Sequence, residues 1–148
     1  MTQEDKEILL KDLCTRLPYN PAVEYKGEVY NVLGIAHGRL VLCKPFMSHT
    51  LNESPLVEEV KPYLFPPSSM TKEQMDELEE LCDMYIPEDD YNPYSYMGIQ
   101  VLYKTVYDEG YEFNLRTDVI DWFNRNNLDW GGLIPKGLAN DATDKNIY

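Results

Sequence analysis

Glu28-Val29-Tyr30-Asn31-Val32-Leu33-Gly34-Ile35-Ala36, then His37-Gly38, then Arg39-Leu40-Val41-Leu42-Cys43, is the stretch that decides the fold. Its first nine residues are rich in Val, Tyr, Leu and Ile, side chains that suit a pleated, half-buried surface. His37-Gly38 stands between two apolar runs, where Gly supplies the positive φ of a tight hairpin. Arg39 to Cys43 returns as the partner strand. Val29, Leu33 and Ile35 share one face of the first run, with Asn31 the exception, and are expected to point at the core. Just upstream, Val23 to Tyr25 reads as a short strand joined to the run by a Lys26-Gly27 turn. The three segments form an antiparallel meander.

Working outward, the N-terminal segment reads as a helix near residues 3–16. Thr2 caps it, and Glu4 and Asp5 lie in its first turn, at the positive end of the dipole. Ile8, Leu9, Leu10, Leu13, Cys14 and Leu17 recur at spacings of three and four and make an apolar stripe. Pro18 stops the helix near Arg16. Residues 45–55 read as a loop punctuated by Pro45, Asn52 and Pro55. Leu56 to Phe65 reads as a further strand, which Pro62 should confine to a sheet edge or end. After the extended Pro66-Pro67-Ser68-Ser69, Thr71-Lys72-Glu73-Gln74 is a capping box, with Met70 and Met75 at the staple positions. The helix it opens runs near 71–85, with Met75, Leu78, Leu81, Cys82 and Tyr85 as its apolar face, and Pro87 ends it. Ile99 to Tyr107 has the composition of a strand. A third helix, near 117–126, starts at Thr117 or Asn114, faces the core with Val119, Ile120 and Phe123, and stops at Asn126-Asn127. Asp121-Trp122 and Asp129-Trp130 place two large anchors around its end. The fold class is therefore α+β: a small antiparallel β-meander sheet from residues 22–65, packed by about three helices. One globular domain over residues 1–148 is expected, with residues 140–148 a loosely held tail apart from Ile147 and Tyr148.

The 148 residues carry 26 acids against 13 bases, a net charge of −13. Disordered chains share such charge but are poor in aromatic residues, which make up 12% here. The charge is uneven: residues 1–70 sum to −2 and residues 71–148 to −11. A field of that sign repels polyanions, and no run of three basic residues occurs, so direct nucleic-acid binding is not expected. No apolar run reaches membrane-spanning length, and the polar Met1-Thr2-Gln3-Glu4-Asp5 start is unlike a secretory signal. Cys14, Cys43 and Cys82 match no CxxC spacing and read as reduced, mostly buried thiols of a cytoplasmic protein.

Several scattered stretches carry a resemblance. They are Lys11-Asp12-Leu13-Cys14 with Arg16-Leu17-Pro18-Tyr19; Val60-Lys61-Pro62-Tyr63-Leu64-Phe65-Pro66 leading through Ser68-Ser69-Met70-Thr71 into the acidic helix; and Asp121-Trp122-Phe123-Asn124, Asp129-Trp130 and Gly132-Leu133-Ile134-Pro135-Lys136-Gly137-Leu138-Ala139. Together the chain resembles a group of short uncharacterised proteins of Bacteroides-type gut bacteria, some borne by phages or mobile elements. Residues 86–112 match least. The resemblance implies no activity and supplies no catalytic residues.

Three constellations bear on function. Glu73, Asp76, Glu77, Glu80 and Asp83 lie at helical spacings and share a solvent face, either a merely solvated surface or a docking face for a basic partner. Seven Tyr residues fall within residues 85–111. Tyr91, Tyr94 and Tyr96 among them join apolar area to a hydroxyl, as interface residues do. Glu88-Asp89-Asp90 offers oxygen ligands to a hard cation, but without EF-hand spacing or a central Gly no metal is expected. No P-loop, GxGxxG, HExxH or zinc pattern occurs, and no cofactor is expected. The leading expectation is a non-enzymatic protein-binding or accessory module with an acidic, Tyr-rich surface. One alternative is a small hydrolase-like enzyme using His49 and nearby carboxylates, which requires His49 in a pocket. Another is an acidic DNA mimic that inhibits a nucleic-acid-binding protein.

Overall fold

The computed structural model describes residues 1–82 and 113–148. Asp83, Tyr85, Glu88 to Asp90, Tyr91, Tyr94, Tyr96 and the strand expected at Ile99–Tyr107 lie outside the described residues. The architecture is α+β: among the described residues there are three α-helices and a five-stranded, mostly antiparallel sheet. Where one domain is expected, the chain divides into two compact units: Met1–Leu64 with Leu133–Tyr148, and Phe65–Gly132.

The first unit holds helix α1 (Gln3–Arg16) and the whole sheet: β1 (Ala22–Tyr25), β2 (Glu28–Ala36), β3 (Arg39–Cys43), β4 (Lys61–Leu64) and β5 (Asn140–Asp141), in the order β3-β2-β1-β4-β5. Both hairpins turn as the sequence predicts. Lys26-Gly27 and His37-Gly38 take positive φ at both residues, the geometry that matches the twist of the flanking strands. At the start of α1, the Asp5 amide donates to the Thr2 hydroxyl and the Thr2 amide to the Asp5 carboxylate, each at 3.0 Å. Those bonds hold the Asp5 carboxyl below its ordinary range.

The core face of β2 differs from the expected one. Tyr30 and Val32 are buried while Leu33 is exposed. The reason is a bulge: Val32 pairs with Leu42, but Gly34 pairs with Val41, so Leu33 is an extra residue. The bulge reverses the alternation, and Ile35, opposite Leu40, returns to the core side. Leu9 and Leu13 of α1 join Val23, Tyr25, Tyr30, Val32, Leu40, Leu42, Val60 and Leu64 in one cluster. Each fully buried Leu contributes about 1.5–3 kcal/mol relative to exposure. The outer edge of β3 is not left open. Leu51 donates to the Leu42 carbonyl at 2.7 Å and Leu40 to the Pro55 carbonyl at 2.8 Å, so residues 50–57 cover it.

Three further expectations are corrected. Cys14 is exposed rather than buried, because one step past Leu13 turns about 100° around the helix, off the packed side. The strand expected over Leu56–Phe65 opens as a 3-10 turn (Val57–Glu59), and β4 is internal, not an edge. Pro62 is tolerated there because β5 is two residues long and begins opposite Tyr63. The tail is anchored rather than loosely held. Asn140 donates to Glu24 at 2.8 Å, Ala142 is fully buried, and Ala142 donates to the Leu64 carbonyl at 2.8 Å. Tyr148 is half exposed as a residue, but its hydroxyl accepts from the Ala22 amide at 3.3 Å and donates to the Tyr63 carbonyl at 2.7 Å. Burial pushes that hydroxyl up to about 12.

The second unit contains α2 (Lys72–Cys82) and α3 (Phe113–Arg125). Leu78, Val119, Trp122, Phe123 and Leu128 form its core, with Phe65, Met70, Leu81 and Trp130 against it. Helix α3 stops at Asn126-Asn127 as expected, through a Schellman motif. Asn127 takes the left-handed conformation (φ 54°), Leu128 donates to the Phe123 carbonyl at 3.0 Å, and Asn127 to the Asn124 carbonyl at 3.1 Å. Leu128 and Phe123, the residues the motif brings into contact, are both fully buried. Beyond it, Phe65 pairs in parallel with Leu128 and bonds to Asn127 and Asp129 through its amide and carbonyl.

Candidate functional site

The acidic face of α2 is built by its cap and its core contact. The Gln74 amide donates to the Thr71 hydroxyl at 3.2 Å, and the Thr71 amide to the Gln74 side-chain oxygen at 3.0 Å, closing the capping box. The other end of the Gln74 amide group donates to Asn126 at 3.2 Å, which ties the start of α2 to the end of α3. Leu78 is buried, so the helix is rotationally fixed, and Glu73, Asp76, Glu77 and Glu80 are exposed. Glu73 sits in the first turn, where the dipole favours it. Glu73 with Glu77, and Asp76 with Glu80, are like charges one turn apart, each pair costing about 0.2–0.5 kcal/mol.

Glu77 has a second task that its spacing did not reveal. The Trp122 indole nitrogen, almost wholly buried, donates to Glu77 Oε2 at 3.2 Å. Trp130 likewise donates to Asn124 Oδ1 at 2.8 Å. Both Trp residues are thus anchors, with their polar edges satisfied. Of the eight residues expected to bind a partner, α2 brings Glu73, Asp76, Glu77 and Glu80 together; Asp83, Tyr91, Tyr94 and Tyr96 are outside the described residues.

His49 is exposed in the irregular segment after β3, and His37 is exposed at its hairpin turn. Among the described residues, no group of three or more His, Cys, Asp or Glu could hold a metal ion. No helix of the described residues is long and apolar enough to cross a membrane.

The first unit contains charged groups that sequence spacing did not single out. Arg16, fully buried, makes a bidentate pair with Asp12 through Nε at 2.7 Å and Nη2 at 2.9 Å. The i, i+4 spacing was visible, but nothing in it distinguished a buried pair from a surface one. Glu53 accepts from Lys26 at 2.6 Å and Tyr25 at 2.8 Å, and Glu28 from Lys44 at 2.6 Å and Tyr30 at 2.9 Å. The Lys bonds, then the Tyr bonds, hold both carboxyls below their ordinary range; the same bonds raise Lys26 and Lys44.

Comparison with family models, with curated proteins and with solved structures gives no match.

Proposed function

We propose that the protein is a non-enzymatic binding or accessory module that presents the acidic face of α2 to a basic protein partner. The observation that carries this reading is the set of exposed carboxylates Glu73, Asp76 and Glu80 on a helix fixed by its cap and by Leu78. Like charges held on one helix cost local stability, a cost a basic partner would offset on binding. The exposure of His49 favours this reading over the hydrolase-like one.

The test is affinity capture from native cytosol at low salt, followed by salt elution and rebinding of the purified captured protein. The triple variant Glu73→Gln, Asp76→Asn, Glu80→Gln should lose binding and most of its salt dependence. A protein that stays monomeric and partnerless at low salt would refute the reading. A captured nucleic-acid-binding protein displaced by duplex DNA would shift it to DNA mimicry.

A further inference from the structure

Strands β1 and β4 pair at Glu24 with Lys61 and at Val23 with Pro62, and their ladder stops there. The next pair in register is Ala22 with Tyr63. The Leu64 carbonyl is turned toward β5, where the Ala142 amide donates to it at 2.8 Å, so that of Tyr63, one residue earlier, is turned toward β1. No direct bond joins it to Ala22. Instead the Ala22 amide donates to the Tyr148 hydroxyl at 3.3 Å, and that hydroxyl donates to the Tyr63 carbonyl at 2.7 Å. One phenol hydroxyl thus stands as a rung between two strands. The strap that brings it there, residues 143–148, buries little. Ala142 before it is fully buried, residues 143–146 are exposed, and Tyr148 is half exposed. The strap bonds to itself, Lys145 to the Ala142 carbonyl at 3.1 Å and Ile147 to the Lys145 carbonyl at 2.9 Å. Lys145 Nζ lies 5.4 Å from the centre of the Tyr63 ring. Segments with so little buried area open at the lowest cost in a fold.

We infer that the gap between Ala22 and Tyr63 is a phenol-binding slot that Tyr148 fills in cis, and that residues 143–148 are a latch that lifts from it while the sheet stays folded. The slot's own chemistry selects the ligand. It presents one donor, the Ala22 amide, and one acceptor, the Tyr63 carbonyl, so it needs a group that accepts and donates at a single atom. A hydroxyl does both. A carboxylate would set an oxygen against the carbonyl, an ammonium would set hydrogens against the amide, and an ether cannot donate. Water meets the same two groups but brings no ring, and Tyr148 shows that an aromatic ring fits behind the hydroxyl. The hinge follows from burial. Lifting the strap breaks the two hydroxyl bonds and the Lys145–Tyr63 contact, while buried Ala142 keeps its bond to Leu64 and β5 stays paired with β4. A free phenol, or a tyrosine side chain of another polypeptide, meets the same two backbone groups.

The experiment uses the full chain carrying Tyr148→Ala, which empties the slot. The variant should stay folded, and p-cresol should raise its melting temperature saturably, where toluene and 4-methylanisole do not. p-Cresol should also slow hydrogen exchange at the Ala22 amide of the variant at least about tenfold. Exchange at the Val32 amide, which bonds to the Pro21 carbonyl, should not change. In the unaltered protein Tyr148 competes, so the same titration should need at least about ten times more p-cresol. The hexapeptide Thr143–Tyr148, added to the variant, separates the two sources. Tighter binding than p-cresol assigns the slot to a tyrosine carried on a polypeptide; equal or weaker binding assigns it to a free phenol. Unfolding of Tyr148→Ala would mean that the strap cannot lift from a standing sheet, and would overturn the inference. So would toluene or 4-methylanisole acting as p-cresol does, equal titrations of variant and unaltered protein, or Ala22 exchange that p-cresol leaves unmoved.

Discussion

The two units handle charge in opposite ways. Residues 1–64 and 133–148 hold 9 bases and 11 acids, while residues 65–132 hold 4 bases and 15 acids. In the first unit several charges are paired: Asp12 and Arg16 form a buried pair on α1, and Glu28, Glu53 and Glu58 each hold a lysine. In the second, bases are too few to match the acids, and α2 turns its surplus to solvent. Net charge alone therefore says little; what matters is whether each charge has a counterpart in the same unit.

The sharpest way to break this contrast is Asp12→Ala. It leaves the Arg16 guanidinium buried without its carboxylate and should cost about 3–5 kcal/mol in urea unfolding. Glu80→Gln, on the exposed face, should cost nothing measurable in the same experiment. A loss below about 1 kcal/mol for Asp12→Ala would mean that the pair is not structural. Next in size, Tyr148→Phe removes a hydroxyl with two backbone partners and should cost about 1–2 kcal/mol. That hydroxyl is raised to about 12 in the folded protein from an ordinary 10.0, so the folded state keeps the proton longer. Its contribution is complete below pH 10 and is lost as pH rises toward 12. The variant's alkaline unfolding curve should lack this component.

In the second unit, Asn127→Ala should cost about 1 kcal/mol, because it removes the short polar side chain that lets Asn adopt the left-handed region. Asn127→Gly should be close to neutral, and hydrogen exchange at the Leu128 amide reports both. Acid should weaken the first unit. Glu28, Glu53 and Glu58 are held low by their lysines, so their contribution is present above the ordinary carboxylate value of 4.5 and lost as pH falls below it. Thermal melts at pH 7 and pH 3 measure the loss, and Glu28→Gln should reduce the difference. The smallest effect is that of salt, a few tenths of a kcal/mol per pair. Added NaCl should increase amide protection in α2 by screening its like charges, and should not do so in β2 and β3.

Local chemistry explains which parts of this were legible. Turn glycines, the Thr71 capping box and the Asn126-Asn127 stop each depend on residues within a few positions, and all appear as read. The core face of β2 departs from simple alternation because a one-residue bulge inverts it and leaves no mark in composition. The internal place of β4, the burial of Arg16 and the anchoring of Asn140 and Ala142 depend on packing far along the chain, which periodicity does not encode. At the candidate site, the acidic spacing was plain, but the Glu77–Trp122 bond depends on how α2 and α3 pack.

The sheet of the first unit is completed by chain that emerges only after the whole of the second. Tyr63 must wait for Asn140, and the Ala22 amide for a hydroxyl 126 residues away. Such separations slow folding, because a long loop must close before its contacts form. The intervening unit shortens that loop when it folds first, since the Phe65 bonds to Asn127 and Asp129 bring its two ends together. Reducing an effective loop from about 70 residues to about 10 lowers the closure entropy by roughly 2 kcal/mol. The acidic unit is then a folding aid to its neighbour: variants that loosen it should slow the last step of sheet formation even where the sheet itself is untouched.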